Sequence, residues 1–329
     1  IYNTAAVGAG ICNAGTMTMN GGSVDHNIAT MGSAGGIYNF VGTMNLKGVS
    51  ISNNIASVYG GGIYNWGTMT ADECAIDHNT ANIGGGIYNS GGDDISNVTM
   101  NGGSISYNDA TGVGGGIYNI VGSAFLNGVS IDHNTAIYGG GILNTQSNVS
   151  MNCGSIDHNI AKGYYDSNYP YEYYPGLGGG IASFLGNVCL DGVSLDHNIA
   201  YYGGGIYHLG GEANLNDATI SSNSAGHYDQ NSNWVADGYG GGIWNGVLDN
   251  PSYGGLKFIG TVNLNSSSIS YNDAGVGGGI YNDQSIVNLI SGSIDHNMAQ
   301  SHGGGIYNGG SVTGNAALVH DNIPDDIYP

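Results

Sequence analysis

The sequence predicts an all-β chain, a parallel β-solenoid of stacked coils. Three observations predict it. A motif recurs about every 25 residues, as repeat architectures require. Inside each repeat, apolar and polar residues alternate with period two. Glycine, 63 of 329 residues, is too abundant and too evenly spread for long helices.

The first segment of each repeat reads G-G-G-I-Y-N or close to it. Its Ile falls at Ile11, Ile37, Ile63, Ile87, Ile117, Ile142, Ile181, Ile206, Ile243, Ile280 and Ile306. The second resembles T-M-T-M-N, as at Thr16 to Asn20 and Asn97 to Asn101. The third reads S-I-D-H-N-x-A, with its Asn at Asn27, Asn54, Asn79, Asn108, Asn134, Asn159, Asn198, Asn223, Asn272, Asn297 and Asn322. Three short strands per coil and about 11 coils of ~25 residues make one β-solenoid domain over residues 1–329. Insertions fall at about 90–97, 162–177, 226–239 and 246–258. Coils stack roughly 4.8 Å apart, so each inward Ile meets its counterpart above and below. The corner Asn amides, with donor and acceptor on one side chain, are expected to bond along the stack as a ladder. Glycine triplets suit a corner of positive φ or close backbone approach.

The pairing of G-G-G-I-Y-N with N-x-A at this spacing resembles right-handed parallel β-helix proteins of the polymorphic outer-membrane-protein and adhesin-like type. The resemblance covers essentially the whole chain. It implies a right-handed, single-stranded β-helix and a secreted or surface-exposed protein. The chain departs from that pattern in its lack of basic residues and its richness in Tyr.

Composition excludes several partners. The basic residues are Lys47, Lys162 and Lys257, there is no Arg, and the net charge is -21. Phosphate backbones and anionic membrane surfaces find nothing to bind. No apolar run reaches the roughly 20 residues of a spanning helix, so no membrane insertion is expected. No leader peptide is recognised, and a processed chain is expected.

The residue after each inward Ile is expected to face outward. That column holds Tyr38, Tyr64, Tyr88, Tyr118, Tyr207, Trp244, Tyr281 and Tyr307. It reads either as a stiffening aromatic ladder or as a stripe that binds sugar rings or a neighbour. Asp and His share another register. Asp132, Asp157 and Asp196, with His133, His158 and His197, fall on successive coils. Asp–His hydrogen bonding along the ladder is the first reading. A site for Ca2+ or another divalent cation is the second, and no other cofactor is expected. Tyr164, Tyr165, Tyr171, Tyr173 and Trp234 place aromatics on two insertions, where they suit contact with glycans or surface proteins. Cys12, Cys74, Cys153 and Cys189 form no C-x-x-C pair and are expected as free, mostly buried thiols.

Ile1, Tyr2 and Asn3 match the tail of the third segment, and Ile327 and Tyr328 follow its last copy. Open coil ends of matching phase would let copies of the chain join head to tail. Three roles follow, in order. The first is an extracellular structural subunit of a filament, sheath or surface layer. The second is a cell-surface adhesin or glycan-binding domain. The third is a polysaccharide-degrading enzyme, which is not expected. Lyases of this shape rely on Arg or Lys, and the one internal Asp pair, Asp93-Asp94, has no basic partner.

Overall fold

A computed structural model describes residues 2–91, 96–165, 173–228, 234–250 and 256–329. The chain divides into two compact units, Ile1–Ser155 and Ile156–Pro329. Both are built from parallel β-coils, about 11 in all, essentially without helix. Among the described residues no helix is long and apolar enough to cross a membrane.

In the first unit the I-Y-N strands pair in strict register, Ile37 with Ile63, Ile63 with Ile87 and Ile87 with Ile117. The second segment stacks Met17, Met44, Met69 and Val98. The third stacks Val24, Ile51, Ile76, Ile105 and Ile131. Ile37, Met44, Ile51, Ile63, Met69, Ile76 and Ile105 are fully buried. Each such side chain contributes about 1.5–3 kcal/mol of transfer free energy. The second unit repeats the pattern, with Ile181, Ile206, Ile243, Ile280 and Ile306 in register.

The third segment is bent in two. Ser23–Asp25 and Ile28–Ala29 are separate strands, and the break falls at His26, whose φ is 56°. Every copy of that position is left-handed, including His78, Tyr107, His133, His197 and Tyr271. His and Asn tolerate that region better than most residues, whereas Tyr occupies it at a cost. The short strand beyond carries the Ala column. Ala29, Ala56, Ala81, Ala110 and Ala136 are all buried.

The corner Asn residues form the expected ladder. Nδ2 of Asn27, Asn54, Asn79 and Asn108 donates to Oδ1 of Asn54, Asn79, Asn108 and Asn134, at 2.8, 3.0, 3.0 and 3.0 Å. Each Oδ1 also accepts a backbone N–H, as from Asn79 N to Asn108 Oδ1 at 3.0 Å. In the second unit the chain of bonds runs through Asn159, Asn198, Asn223, Asn272, Asn297 and Asn322. Asn3 supplies a further rung by donating to Asn27 Oδ1 at 2.9 Å.

The glycine triplets lie directly against this ladder. Gly84 has φ +66°, and a Cβ on Gly86 would sit 2.6 Å from Gly116 O and 3.1 Å from Asn108 Nδ2. The gap between backbone and ladder therefore admits no side chain.

One expectation changes, that of mostly buried thiols. Ile327–Tyr328, expected at an assembly end, pairs along one edge with Ile306 and Tyr307. Asp326 Oδ1 accepts from both N and Nδ2 of Asn322, at 3.0 Å each, as the next Asn would. A carboxylate has no N–H to pass on, so that series of bonds stops there. Tyr2 is exposed, and Ile1 lies outside the described residues. The four cysteines are free, but only Cys74 is buried. Cys12 and Cys153 are exposed and Cys189 is half-buried, because they sit in outward registers of their strands.

Candidate functional site

The aromatic column does not stand free in solvent. In the first unit Tyr38, Tyr64, Tyr88 and Tyr118 are half-buried and stacked, with Tyr38 and Tyr64 centroids 4.9 Å apart. Tyr59 leans on Tyr88 at 4.8 Å. In the second unit Tyr207 and Trp244 are only 8% and 9% exposed. The cause is a second column, one residue before each glycine triplet. Backbone bridges align Leu177 with Tyr202, Tyr202 with Tyr239, and Tyr239 with Val276. The triplet turns the coil, so the residues before and after it face each other across a notch.

In the second unit that notch is a cleft of about 350 Å³ lined by Leu177, Tyr202, Tyr207, Tyr239, Trp244, Tyr281 and Asp283. Tyr207 and Trp244 lie flat on each other, centroids 4.4 Å apart and planes 8° apart. Tyr202 and Tyr239 stack at 5.3 Å, and Tyr239 meets Tyr281 edge-on at 5.2 Å. Burial, then the nearby Asp283 carboxylate, pushes the Tyr281 hydroxyl up to about 12. Burial also raises Tyr202. These phenols are therefore neutral donors at physiological pH. Size, aromatic walls and a few polar groups are what a small-ligand site needs.

Two insertions stand beside this cleft. Tyr164–Tyr165 pairs antiparallel with Tyr173–Tyr174, and His227–Tyr228 with Trp234–Val235. They meet where Tyr173 lies 5.2 Å from His227, whose Nδ1 is 2.9 Å from Asp237 Oδ1. Tyr201 joins them to the cleft by packing on Tyr202 at 4.9 Å. The two insertions thus leave the same edge, as expected. Of the aromatics singled out there, Tyr164 stacks on Tyr174 at 4.7 Å and Trp234 is half-buried. Tyr171 and the Asp93-Asp94 pair lie outside the described residues.

The Asp–His pairs are local. Asp132 and His133 belong to the first unit, and Asp157, His158, Asp196 and His197 to the second. His133 Nδ1 lies 3.0 Å from Asp132 Oδ2, and His197 Nδ1 2.9 Å from Asp196 Oδ2. The rings also stack, His133 on Tyr107 at 4.7 Å and His158 on His197 at 4.9 Å. Among the described residues no three His, Cys, Asp or Glu side chains gather as a metal-ligand set.

Sequence reasoning missed Tyr202, Tyr239 and Asp283. The signal was partial: Tyr59, Tyr138, Tyr202 and Tyr239 each directly precede a glycine triplet, but Ile83 and Val113 hold that position in other coils. It also missed a second Asn ladder, in the I-Y-N segment. Asn13, Asn39, Asn65 and Asn89 are buried, and each donates to the next, from Asn13 to Asn39 at 2.7 Å through to Asn89 to Asn119 at 2.7 Å.

Coil, ladders and columns define a β-helix repeat protein. Comparison with known families agrees: the Chlamydia polymorphic membrane protein repeat matches residues 48–65, from the third segment of one coil into the I-Y-N strand of the next. No curated protein and no solved structure matches the chain significantly.

Proposed function

We propose that the chain is a cell-surface β-solenoid that binds carbohydrate through the aromatic cleft of its second unit, an adhesin-type role. The observation that carries this reading is the cleft itself, walled by Tyr202, Tyr207, Tyr239, Trp244 and Tyr281. Sugar rings present apolar C–H faces to such walls, while phenol hydroxyls and a carboxylate offer hydrogen bonds to their rims. The coil already holds these rings packed against one another, so little ordering cost falls on binding. The match of residues 48–65 to a polymorphic membrane protein repeat supports the surface location.

End-to-end assembly, placed first from the sequence alone, ranks second. Asp326 takes the donors of Asn322 and has no N–H to pass on, so the ladder offers a neighbouring copy no donor at that end.

An oligosaccharide array probed with the whole chain and with Tyr239→Ala tests the reading. The wild type is expected to bind a defined subset of glycans. The variant should lose about tenfold in affinity, as truncation of a central aromatic does. Absence of wild-type binding to any glycan would reject it.

A further inference from the structure

The cleft has a sign of charge as well as a shape. One carboxylate lines it, that of Asp283, and no basic side chain does. Among the described residues no cation comes within ion-pair distance of Asp283, and Lys257 pairs instead with Asp249 at 3.6 Å. The ring faces add to this. Trp and Tyr faces are negative poles of the ring quadrupole and attract a cation held over them. Tyr202, Tyr239 and Trp244 border the same space as Asp283, with Tyr202 stacked on Tyr239 at 5.3 Å and set edge-to-face with Trp244 at 6.2 Å. The chain as a whole, at net charge -21, reinforces the field. An acidic sugar would be repelled. A neutral sugar would stack but leave the half-buried Asp283 carboxylate without a counter-charge.

We propose that the cleft selects an alkylammonium group, most simply the free amine of an amino sugar in a surface glycan. The ammonium sits between the aromatic faces and the Asp283 carboxylate, and the sugar ring stacks on the walls. This rests on the carbohydrate-binding reading above, but it makes a separate demand. The same chemistry would also suit a choline headgroup, so the two sources have to be told apart.

The test is calorimetric titration of the whole chain with a glucosamine oligosaccharide, its N-acetylated counterpart and choline. The free-amine oligosaccharide is expected to bind about tenfold tighter than the acetylated one, the size of a desolvated cation–π and ion-pair contribution. That advantage should shrink as salt rises, because screening weakens charge but not stacking. In Asp283→Asn it should fall to near one. Equal binding of both oligosaccharides, with no salt dependence, would overturn the inference and leave the carbohydrate reading standing. Binding of choline alone would support the ammonium site and remove the glycan. If Asp283→Asn does not fold, the salt dependence of the wild-type preference decides.

Discussion

Asn79 shows what one residue contributes to a solenoid. Its Nδ2 donates to Asn108 Oδ1 and to Ile51 O, and its Oδ1 accepts from N and Nδ2 of Asn54. Asn79→Ala strands all of these partners in a buried site. It should cost roughly 3 kcal/mol, given the 1–3 kcal/mol of each buried group left unpaired. Chemical denaturation of the variant against the wild type checks this. His208 makes the opposite case. It occupies an Asn position of the second ladder and is fully buried. Its Nε2 faces Gly211 O at 3.0 Å and must donate, which leaves Nδ1 an acceptor. Neither Nδ1 nor the buried Asn245 Oδ1 has a partner. Burial lowers the His208 pKa. As pH falls below about 6.5, the unfolded chain takes a proton that the folded chain refuses. The stability tied to this group is thus complete above that pH and is lost as pH falls toward the depressed folded value. His208→Asn should raise the thermal midpoint and reduce its loss between neutral pH and pH 5. An unchanged acid dependence would contradict the assignment.

At the scale of the element, the corner decides the coil. His78 and His133 sit in left-handed backbone, with their rings stacked on Tyr107. His133→Gly relieves the backbone and loses the exposed stack on Tyr107 and the contact with Asp132 Oδ2. His133→Val forces a β-branched residue into the same φ and should cost at least about 1–2 kcal/mol more. Paired unfolding curves of the two variants give the comparison. The Asn of S-I-D-H-N-x-A marked this corner, but the left-handed residue before it was not legible, because a single αL residue leaves the apolar spacing on either side intact. The inward Ile, Met and Val columns and the corner-Asn ladder of each unit were legible, because a stacked fold repeats a side chain whenever it repeats an environment. The cleft was not. The position before the triplet holds Tyr in some coils and Ser33, Ile83 or Val113 in others, so it shows no constant pattern. It meets the I-Y-N column only once the glycines have turned the chain.

At the scale of the whole molecule, scarcity of base acts twice. It leaves trypsin three positions, of which Lys47 is held in a strand by the bond from Gly21 N to Lys47 O at 2.7 Å. Lys162 and Lys257 are exposed at insertions. Native digestion followed by mass spectrometry should find cuts after Lys162 and Lys257 and none after Lys47. Scarcity of base also leaves the aromatic cleft with Asp283 as its one charged side chain. The central claim is that this cleft holds a sugar. Trp66 and Trp234 can be replaced by Phe, so that Trp244 alone reports. Titration of that protein with oligosaccharides should give a saturable change in Trp244 emission that disappears in Tyr239→Ala. Emission that stays unchanged across the oligosaccharides up to millimolar concentration would contradict the account.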